Sequence, residues 1–406
     1  MFSFTWALHQ VFLGMLAALT HPVFWIVMAL VALQYGRVAE LRRNFLGAAG
    51  NKVLSDTALA AAYGFAGGIV GSLLIVLTGL TLNGTAFQYL LPLAIVLMLI
   101  HPRFLCFSYS GGLLALANLL FGFPAIDIPQ VMALVAILHF VEAVLILFSG
   151  HIGAVPAYVR LTRDRIVGAF TLQKFWPIPI VALLVVGALP QGAEGVQMPG
   201  WWPLIPASVP GNPDNLVYIM LPVVAALGYS DIALARTPVA RSRISAVHLT
   251  GFSITLFALS YLAAQNQGFV WLAALFSPLG HELTIHIGKR GEFGAKPRYV
   301  PGYEGVGVLD VERNSPAWRA GIRSGDVITE VNGIAVFRRA DLQAALAGGG
   351  TTEVGYLEDG RTYRRQVVIA PSGRRFGVLT VPEGDEERVL ELRPGGLERL
   401  WNRLKS

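Results

Sequence analysis

The residues best suited to chemistry stand near the end of a long apolar run, where the chain reads His281-Glu282-Leu-Thr-Ile-His286. In the zinc-binding pattern H-E-x-x-H, two imidazoles four residues apart share one helix face and hold the metal, while the glutamate acts as a base. Here the second histidine comes five residues after the first, which turns it about 100° further, onto another face. The spacing therefore argues against a metal-binding pair, and we expect no metal and no cofactor.

Other polar side chains lie inside apolar runs, where an ionisable group is costly and is therefore a candidate functional residue. His139 and Glu142 stand three residues apart on one face of a predicted helix, and Asp231 lies in a later run. One interpretation is a proton or ion path; the other, which we favour, is a set of pairs that lock the helices together. The single cysteine, Cys106, excludes an intramolecular disulfide, and we interpret it as an inert buried thiol.

The chain that carries these residues is unusually apolar. Of its 406 residues, 54% are hydrophobic and 14% are charged, against about 25% charged in an average soluble domain. The mean hydropathy is +0.58. The net charge of +6 is divided among short loops between apolar runs, so we expect no nucleic-acid partner. The composition predicts an integral membrane protein.

Apolar runs near about 20 residues in length predict membrane-spanning helices. Nine are predicted, at residues 22–38, 57–80, 86–100, 104–122, 128–149, 176–190, 216–235, 245–264 and 269–287. Residues 1–21 form either a tenth span or a helix along the membrane interface, and we favour the interfacial helix. The predicted fold class is a polytopic α-helical membrane bundle over residues 22–288.

Lysine and arginine alternate strictly between successive loops. One set of loops carries the basic residues, whereas the loops at 81–85, 123–127, 191–215 and 265–268 carry none. Because basic loops stay in the cytoplasm, this pattern predicts that the C-terminal region is cytoplasmic. Basic residues close to the bilayer are also expected to attract anionic lipids.

After a basic linker at residues 289–302, the chain changes character. Gly305-Val-Gly-Val-Leu-Asp-Val is followed by Asn314-Ser-Pro-Ala, then Gly325-Asp-Val-Ile and Val331-Asn-Gly, which predict strand, short helix, strand and tight turn. This order resembles a bacterial PDZ domain, which we assign to residues 303–383. The resemblance implies a small α+β domain, a partly open β-barrel or sandwich, that binds an extended peptide beside a sheet edge.

The PDZ resemblance also suggests which residues contact the peptide. The loop that offers backbone N–H groups to a peptide carboxylate corresponds to Gly305, Val306, Gly307 and Val308, with Val in place of the usual Phe. A helix over residues 339–347 places Leu342 and Leu346 on one face, as one wall of the groove or as part of the core. Residues 384–406 are predicted to be a tail that begins acidic and ends in a basic amphipathic helix.

Several features recur together along the chain. His21-Pro22 opens the first span, Trp201-Trp202-Pro203 lies in the longest outer loop, and Leu279-Gly280-His281-Glu282 stands at the last inner boundary. With the C-terminal PDZ module, this layout resembles the MinJ-like topological determinants of cell division in Gram-positive bacteria. The resemblance implies a plasma-membrane scaffold at septum and poles that links DivIVA-like and MinD-like proteins; a homo-oligomer is compatible with it.

An enzyme is the competing interpretation. Site-2 proteases also combine membrane spans with PDZ domains, and Asn212-Pro213-Asp214 is similar to their distal aspartate motif. In this chain that segment precedes His281-Glu282 and is predicted on the opposite side of the membrane. We therefore predict a non-catalytic scaffold and keep an intramembrane metalloprotease, or a regulatory subunit of a membrane protease, as the alternative.

Overall fold

Apolar helices surround a long β-hairpin, and a smaller sheet follows at the C-terminal end. The computed structural model describes residues 4–46, 52–82, 84–162, 165–186, 198–207, 217–369 and 376–391. The helices of the first part are α1 (Phe4–Thr20), α2 (Pro22–Leu46), α3 (Val53–Thr78), α4 (Gly84–Ile100), α5 (Phe107–Phe121), α6 (Ile128–Ser149), α7 (Pro238–Gln265) and α8 (Gly268–Phe293). A 3₁₀ turn, Pro102–Leu105, joins α4 to α5.

Among the residues that the structure describes, five helices are long and apolar enough to cross a membrane. They are Pro22–Phe45, Val53–Thr78, Ile128–Ser149, Pro238–Gln265 and Gly268–Phe293. The chain is therefore a multi-pass membrane protein, but the predicted count of nine helical spans is not confirmed. Helix α1 buries Ala7, Val11, Met15 and Ala18 and packs against α3 and the hairpin.

The sixth and seventh predicted helical spans are wrong, because residues 176–186 and 217–233, which make up most of these runs, are strands. Strand β2 covers Arg165–Val186 and β3 covers Val217–Ala233, and they pair antiparallel from Phe170↔Ala233 to Val186↔Val217. The sheet order is β10-β1-β2-β3, with β1 at Val155–Thr162 and β10 at Leu390–Glu391. A continuous apolar run fits a buried strand as well as a helix, and Pro177 and Pro179 disfavour a helix interior.

Beyond Thr171, where the pairing with β1 ends, the edge of β2 that faces away from β3 is covered by α3. The carbonyl oxygens of Pro177 and Pro179 lie so close to this helix that only glycine fits opposite them, at Gly64 and Gly68. Proline has no N–H to leave unpaired on this side. Two residues further along, the N–H of Val181 donates to the Ser72 hydroxyl at 2.8 Å. The buried N–H of Val181 is thereby satisfied by a helix side chain, as burial among apolar helices requires.

Helix α6 lies at the centre of the membrane part. Of its most apolar 18 residues, 67% are buried. The helix packs against α3 and α7. A helix that is apolar all round is expected in such a position. Its first turn is capped by Asp127, whose carboxylate accepts from the N–H of Gln130.

The C-terminal sheet contains the elements predicted for the PDZ-like module. These are β4 (Val306–Val311), α9 (Pro316–Arg319), β5 (Val327–Val331), β6 (Ile334–Ala335), α10 (Arg339–Leu346), β7 (Gly350–Glu358), β8 (Arg361–Ile369) and β9 (Val378–Thr380). The strand order is β8-β7-β5-β4-β9, and β6 pairs with β5. The module has its own hydrophobic core, which includes Ile322, Ile328 and Val354.

The module is seated on the hairpin sheet of the membrane part. The N–H of Gly168 in β2 donates to the carbonyl of Tyr299 at 2.8 Å, and the Tyr158 hydroxyl of β1 donates to the carbonyl of Thr380 at 3.0 Å. Beyond β9, β10 joins the same sheet by pairing parallel to β1. The amphipathic helix predicted for the last residues lies outside the described residues.

Candidate functional site

Strand β9 lies at one edge of the module's sheet, and β8 lies at the other. The inner side of β9 bonds to β4: the Val381 N–H donates to the carbonyl of Gly307 at 2.9 Å, and the Glu312 N–H donates to that of Gly377 at 2.8 Å. Successive residues of a strand direct their backbone groups to opposite sides, so Val378 and Thr380 direct theirs outward. Among the described strands, none pairs with this outer side. It is the edge beside α10, and it is available for adding a peptide strand.

Helix α10 belongs to the same core as β9. Leu342 is 4% exposed, and Leu346 and Val378 are partly buried against the same cluster. The prediction that both leucines share the inward face is therefore confirmed, while their contact with a peptide stays a prediction. The helix start is fixed by Asp341, whose carboxylate accepts from the N–H groups of Phe337 and Arg338 at 3.1 and 2.9 Å. These bonds hold the pKa of Asp341 below its usual value.

The peptide loop predicted at residues 305–308 is in a different place from the free edge. Val306 and Gly307 pair with β5, the N–H of Val308 donates to the carbonyl of Asp326 at 2.8 Å, and the carbonyl of Gly307 accepts from Val381. A Cβ on Gly305 would lie 2.3 Å from the Ile328 carbonyl oxygen. Because β4 is an interior strand with partners on both sides, these residues cannot accept an added strand. The position that we infer for a peptide is β9.

The turns that hold this arrangement follow from local sequence. The Ser315 hydroxyl accepts from the N–H of Trp318 and begins α9. Asn332 and Gly333 have φ values of 50° and 76°, as the tight turn between β5 and β6 requires. The predicted strand–helix–strand order of the module is confirmed in these elements.

The groove between β9 and α10 is held at one end by ionic contacts. Arg339, the first residue of α10, forms ion pairs with Asp385 and Glu386, and its N–H donates to the Glu383 carboxylate at 2.6 Å. The Arg339 side chain holds the pKa of Asp385 below its usual value. The segment that leaves β9 is thereby tied to α10.

The polar candidates in the membrane part separate into two groups. His139 and His281 come together with Cys106, and their ligand atoms all lie within 4.8 Å of one another. Glu282 accepts from the Tyr109 hydroxyl at 2.8 Å and pairs with Arg103 at 3.1 Å. Cys106, which we interpreted from the sequence as an inert buried thiol, thus lies beside two histidines, and its inertness stays a prediction. Its position in an apolar run, like that of the two histidines, was the signal for such a cluster.

Asp231 belongs to the second group and ties β3 to α7. Its carboxylate accepts from Arg241 at 2.9 Å and from the Ser245 hydroxyl at 2.7 Å. Beside it the buried Glu292 accepts from the N–H groups of Leu234 and Ala235, both at 2.7 Å. These charges are paired and close a junction between elements, as the locking interpretation expects.

The protease motif does not form around His281. His286 is exposed on α8 and stands outside the cluster of Cys106, His139 and His281. Glu142, three residues after His139, lies in α6 and interacts electrostatically with Cys106. The Asn212–Asp214 motif lies outside the described residues.

Comparison with known proteins agrees with the module. The PDZ domain family matches residues 307–354. A solved structure, the PDZ domain of an SdrC-like protein from Listeria monocytogenes, covers 20% of this chain and 92% of its own, with 23% identity and a TM-score of 0.18. The serine protease Do-like HtrA of Lactococcus lactis is 39% identical over 71 residues, which are 17% of each protein.

A longer similarity extends beyond the module. The cell division topological determinant MinJ of Bacillus subtilis (strain 168) is 27% identical over 266 residues, which cover 64% of this chain and 60% of MinJ. The apolar helices define a multi-pass membrane protein, and the C-terminal module defines a PDZ domain. This match confirms the predicted resemblance: the chain is MinJ-like, and it spans somewhat less than two thirds of the length of MinJ.

Proposed function

We propose that this protein is a non-catalytic membrane adaptor whose PDZ domain binds an extended peptide of a partner protein. The observation that carries the proposal is the outer edge of β9, which faces away from β4 with the backbone groups of Val378 and Thr380. Main-chain pairing at such an edge supplies affinity, and apolar contacts with α10 supply selectivity. The Thr380 carbonyl already accepts from Tyr158, so the peptide pairs mainly nearer the start of β9.

The adaptor acts in cell division. The similarity to MinJ over 64% of the chain supports this role, and DivIVA-like and MinD-like proteins are the partners that the resemblance implies. In this proposal the protein sits at the septum and poles and connects the two partners, so that division is confined to midcell. The similarities to proteases support no protease function, since they cover 17–20% of this chain.

The PDZ domain faces the cytoplasm in this proposal. The alternation of basic and uncharged loops supports that orientation. Exchanging two helical spans for the β2–β3 hairpin preserves the alternation, because the chain enters the hairpin and leaves it on the same side. Basic residues next to the bilayer then contact anionic lipids.

Peptide binding is tested with the full chain in lipid nanodiscs and a display library of random C-terminal peptides. We expect selected peptides whose affinity falls about tenfold or more, about 1.4 kcal/mol, in Leu346→Glu, because the change puts a carboxylate on the apolar wall. The matched control is Val368→Glu, at an exposed residue on β8 at the opposite edge of the same sheet. Failure to select any peptide, or equal loss in both variants, would contradict binding at β9.

The division role is tested separately. The full chain on liposomes is mixed with the DivIVA-like and MinD-like proteins of the same cell, singly and together. We expect the protein to recruit both partners at once. A variant whose peptide groove is blocked, Leu346→Glu, should release one of the two partners. Recruitment of neither protein would refute the link and leave peptide binding unaffected.

A further inference from the structure

A cysteine and two histidines from three different helices meet inside the membrane part. The Cys106 sulfur at the start of α5 lies 2.9 Å from Nε2 of His139 in α6 and 3.7 Å from Nε2 of His281 in α8. The two imidazole rings are 5.1 Å apart between centroids. We propose that these three side chains bind a zinc ion that joins α5, α6 and α8.

The geometry suits zinc. With Zn–S near about 2.3 Å and Zn–N near about 2.1 Å, tetrahedral ligand atoms lie roughly 3.3–3.8 Å apart. The longer sulfur–nitrogen distance, 3.7 Å, lies within this range, and the shorter one, 2.9 Å, lies below it and has to lengthen by about 0.4 Å or more when the ion binds. A thiolate with two imidazoles favours zinc or copper over magnesium or calcium, which prefer oxygen ligands.

Both histidines are oriented by hydrogen bonds at their other ring nitrogen. Nδ1 of His139 donates to the carbonyl of Val135 at 2.7 Å. The Tyr109 hydroxyl donates to Glu282, so its oxygen accepts from Nδ1 of His281 at 3.3 Å. In both rings the proton is on Nδ1, and Nε2 presents its lone pair towards Cys106. Hydrogen-bond partners of this kind orient the histidine ligands of metal sites.

The sulfur is also prepared for a metal. Cys106 is the residue that caps the start of α5, and its Sγ accepts from the N–H of Ser108 at 3.4 Å. The positive end of a helix dipole favours a thiolate. Without metal, the thiol donates to His139. Zinc replaces that proton, so Cys–SH and Zn²⁺ give (Cys–S–Zn)⁺ and release one H⁺ per site.

Three protein ligands leave the fourth position of a tetrahedral zinc ion for a water molecule, and the role that we infer for the ion is to join the helices. The Phe252 ring packs edge-on against both imidazoles, with centroids 5.2 Å from His139 and 5.5 Å from His281, and it stacks on Phe276. Aromatic rings on this side restrict water. A metal ion held by ligands from three helices would stabilise the packing of these helices if it binds the native state and not the unfolded chain.

The test uses the full chain in detergent, with bound metal removed by chelator and then replaced by Zn²⁺ or Co²⁺. We expect about one zinc per chain, and with cobalt a near-ultraviolet thiolate-to-metal absorption band. Cys106→Ser keeps a hydrogen-bonding side chain of similar size but should lose that band and most of the bound metal. His286→Ala, on the same α8 helix but outside the cluster, should bind like wild type.

Thermal stability supplies an independent readout. Chelation should lower the melting temperature of wild type and of His286→Ala, and should leave that of Cys106→Ser unchanged. The proposal is overturned if folded wild-type protein takes up neither ion, or if Cys106→Ser retains the cobalt band. In that case the cluster is a thiol–imidazole hydrogen bond between helices.

Discussion

Replacing Gly64 by alanine tests the contact between α3 and β2. An alanine Cβ would lie 2.0 Å from the carbonyl oxygen of Pro177, whereas ordinary contact begins at 3.4 Å. The helix and strand must therefore separate by about 1.4 Å. Both contacting atoms belong to backbone or to Cβ, so no side chain can rotate away. Forced overpacking of this kind costs about 1–3 kcal/mol.

The assay is thermal unfolding of the full chain in detergent, followed by fluorescence or by aggregation. The matched control is Gly36→Ala in α2, where nothing lies within 4 Å of an added Cβ and where alanine favours the helix by about 0.5–1 kcal/mol. We expect Gly64→Ala to melt below wild type and Gly36→Ala at or above it. If the two variants melt alike, residues 177–181 do not pack against α3 as a strand.

Three further changes probe other buried groups in the same unfolding assay. Ser72→Ala removes the acceptor of the Val181 N–H and should cost about 1–3 kcal/mol; Ser253→Ala, whose hydroxyl bonds only within α7, should cost less, and equal losses would refute this role. Burial raises the pKa of Asp310 to about 6, so its stabilising contribution is present below pH 4 and is lost as pH rises through 6. Asp310→Asn should therefore match wild type near pH 4 and exceed it by on the order of 2 kcal/mol near pH 7, and a gain independent of pH would contradict this. Glu292→Ala should cost about 3–5 kcal/mol because it leaves buried N–H groups and an arginine unpaired, with Glu292→Gln milder; tolerance of alanine would show that the junction is not held by this carboxylate.

The PDZ module could be predicted because its signals are local. Asn332-Gly333 requires positive φ at both residues, and Ser315 before Pro316 begins a helix whatever surrounds it. These requirements hold in the folded chain at the predicted positions. What could not be predicted was that β9 lies at the edge of the sheet. The short strand β9 is marked only by a few apolar residues, and sequence cannot tell which of several strands is left at the edge.

The hairpin could not be predicted from hydropathy, because Ile178, Ile180 and Val181 are equally apolar in either conformation. The decision came from partners far along the chain. Gly64 and Gly68 admit the carbonyl oxygens of Pro177 and Pro179, and Ser72 accepts the N–H of Val181 on that side.

The sequence alone determined that this is an apolar, multi-pass membrane protein that ends in a PDZ domain, because composition and turn chemistry need no long-range contact. Only the tertiary structure decided that Cys106, His139 and His281 share one site, since they come from three helices separated by up to 175 residues. It also decided that β9, and not residues 305–308, is the free edge. Both results depend on which segments become neighbours, and that is settled by packing, not by any one segment's own residues.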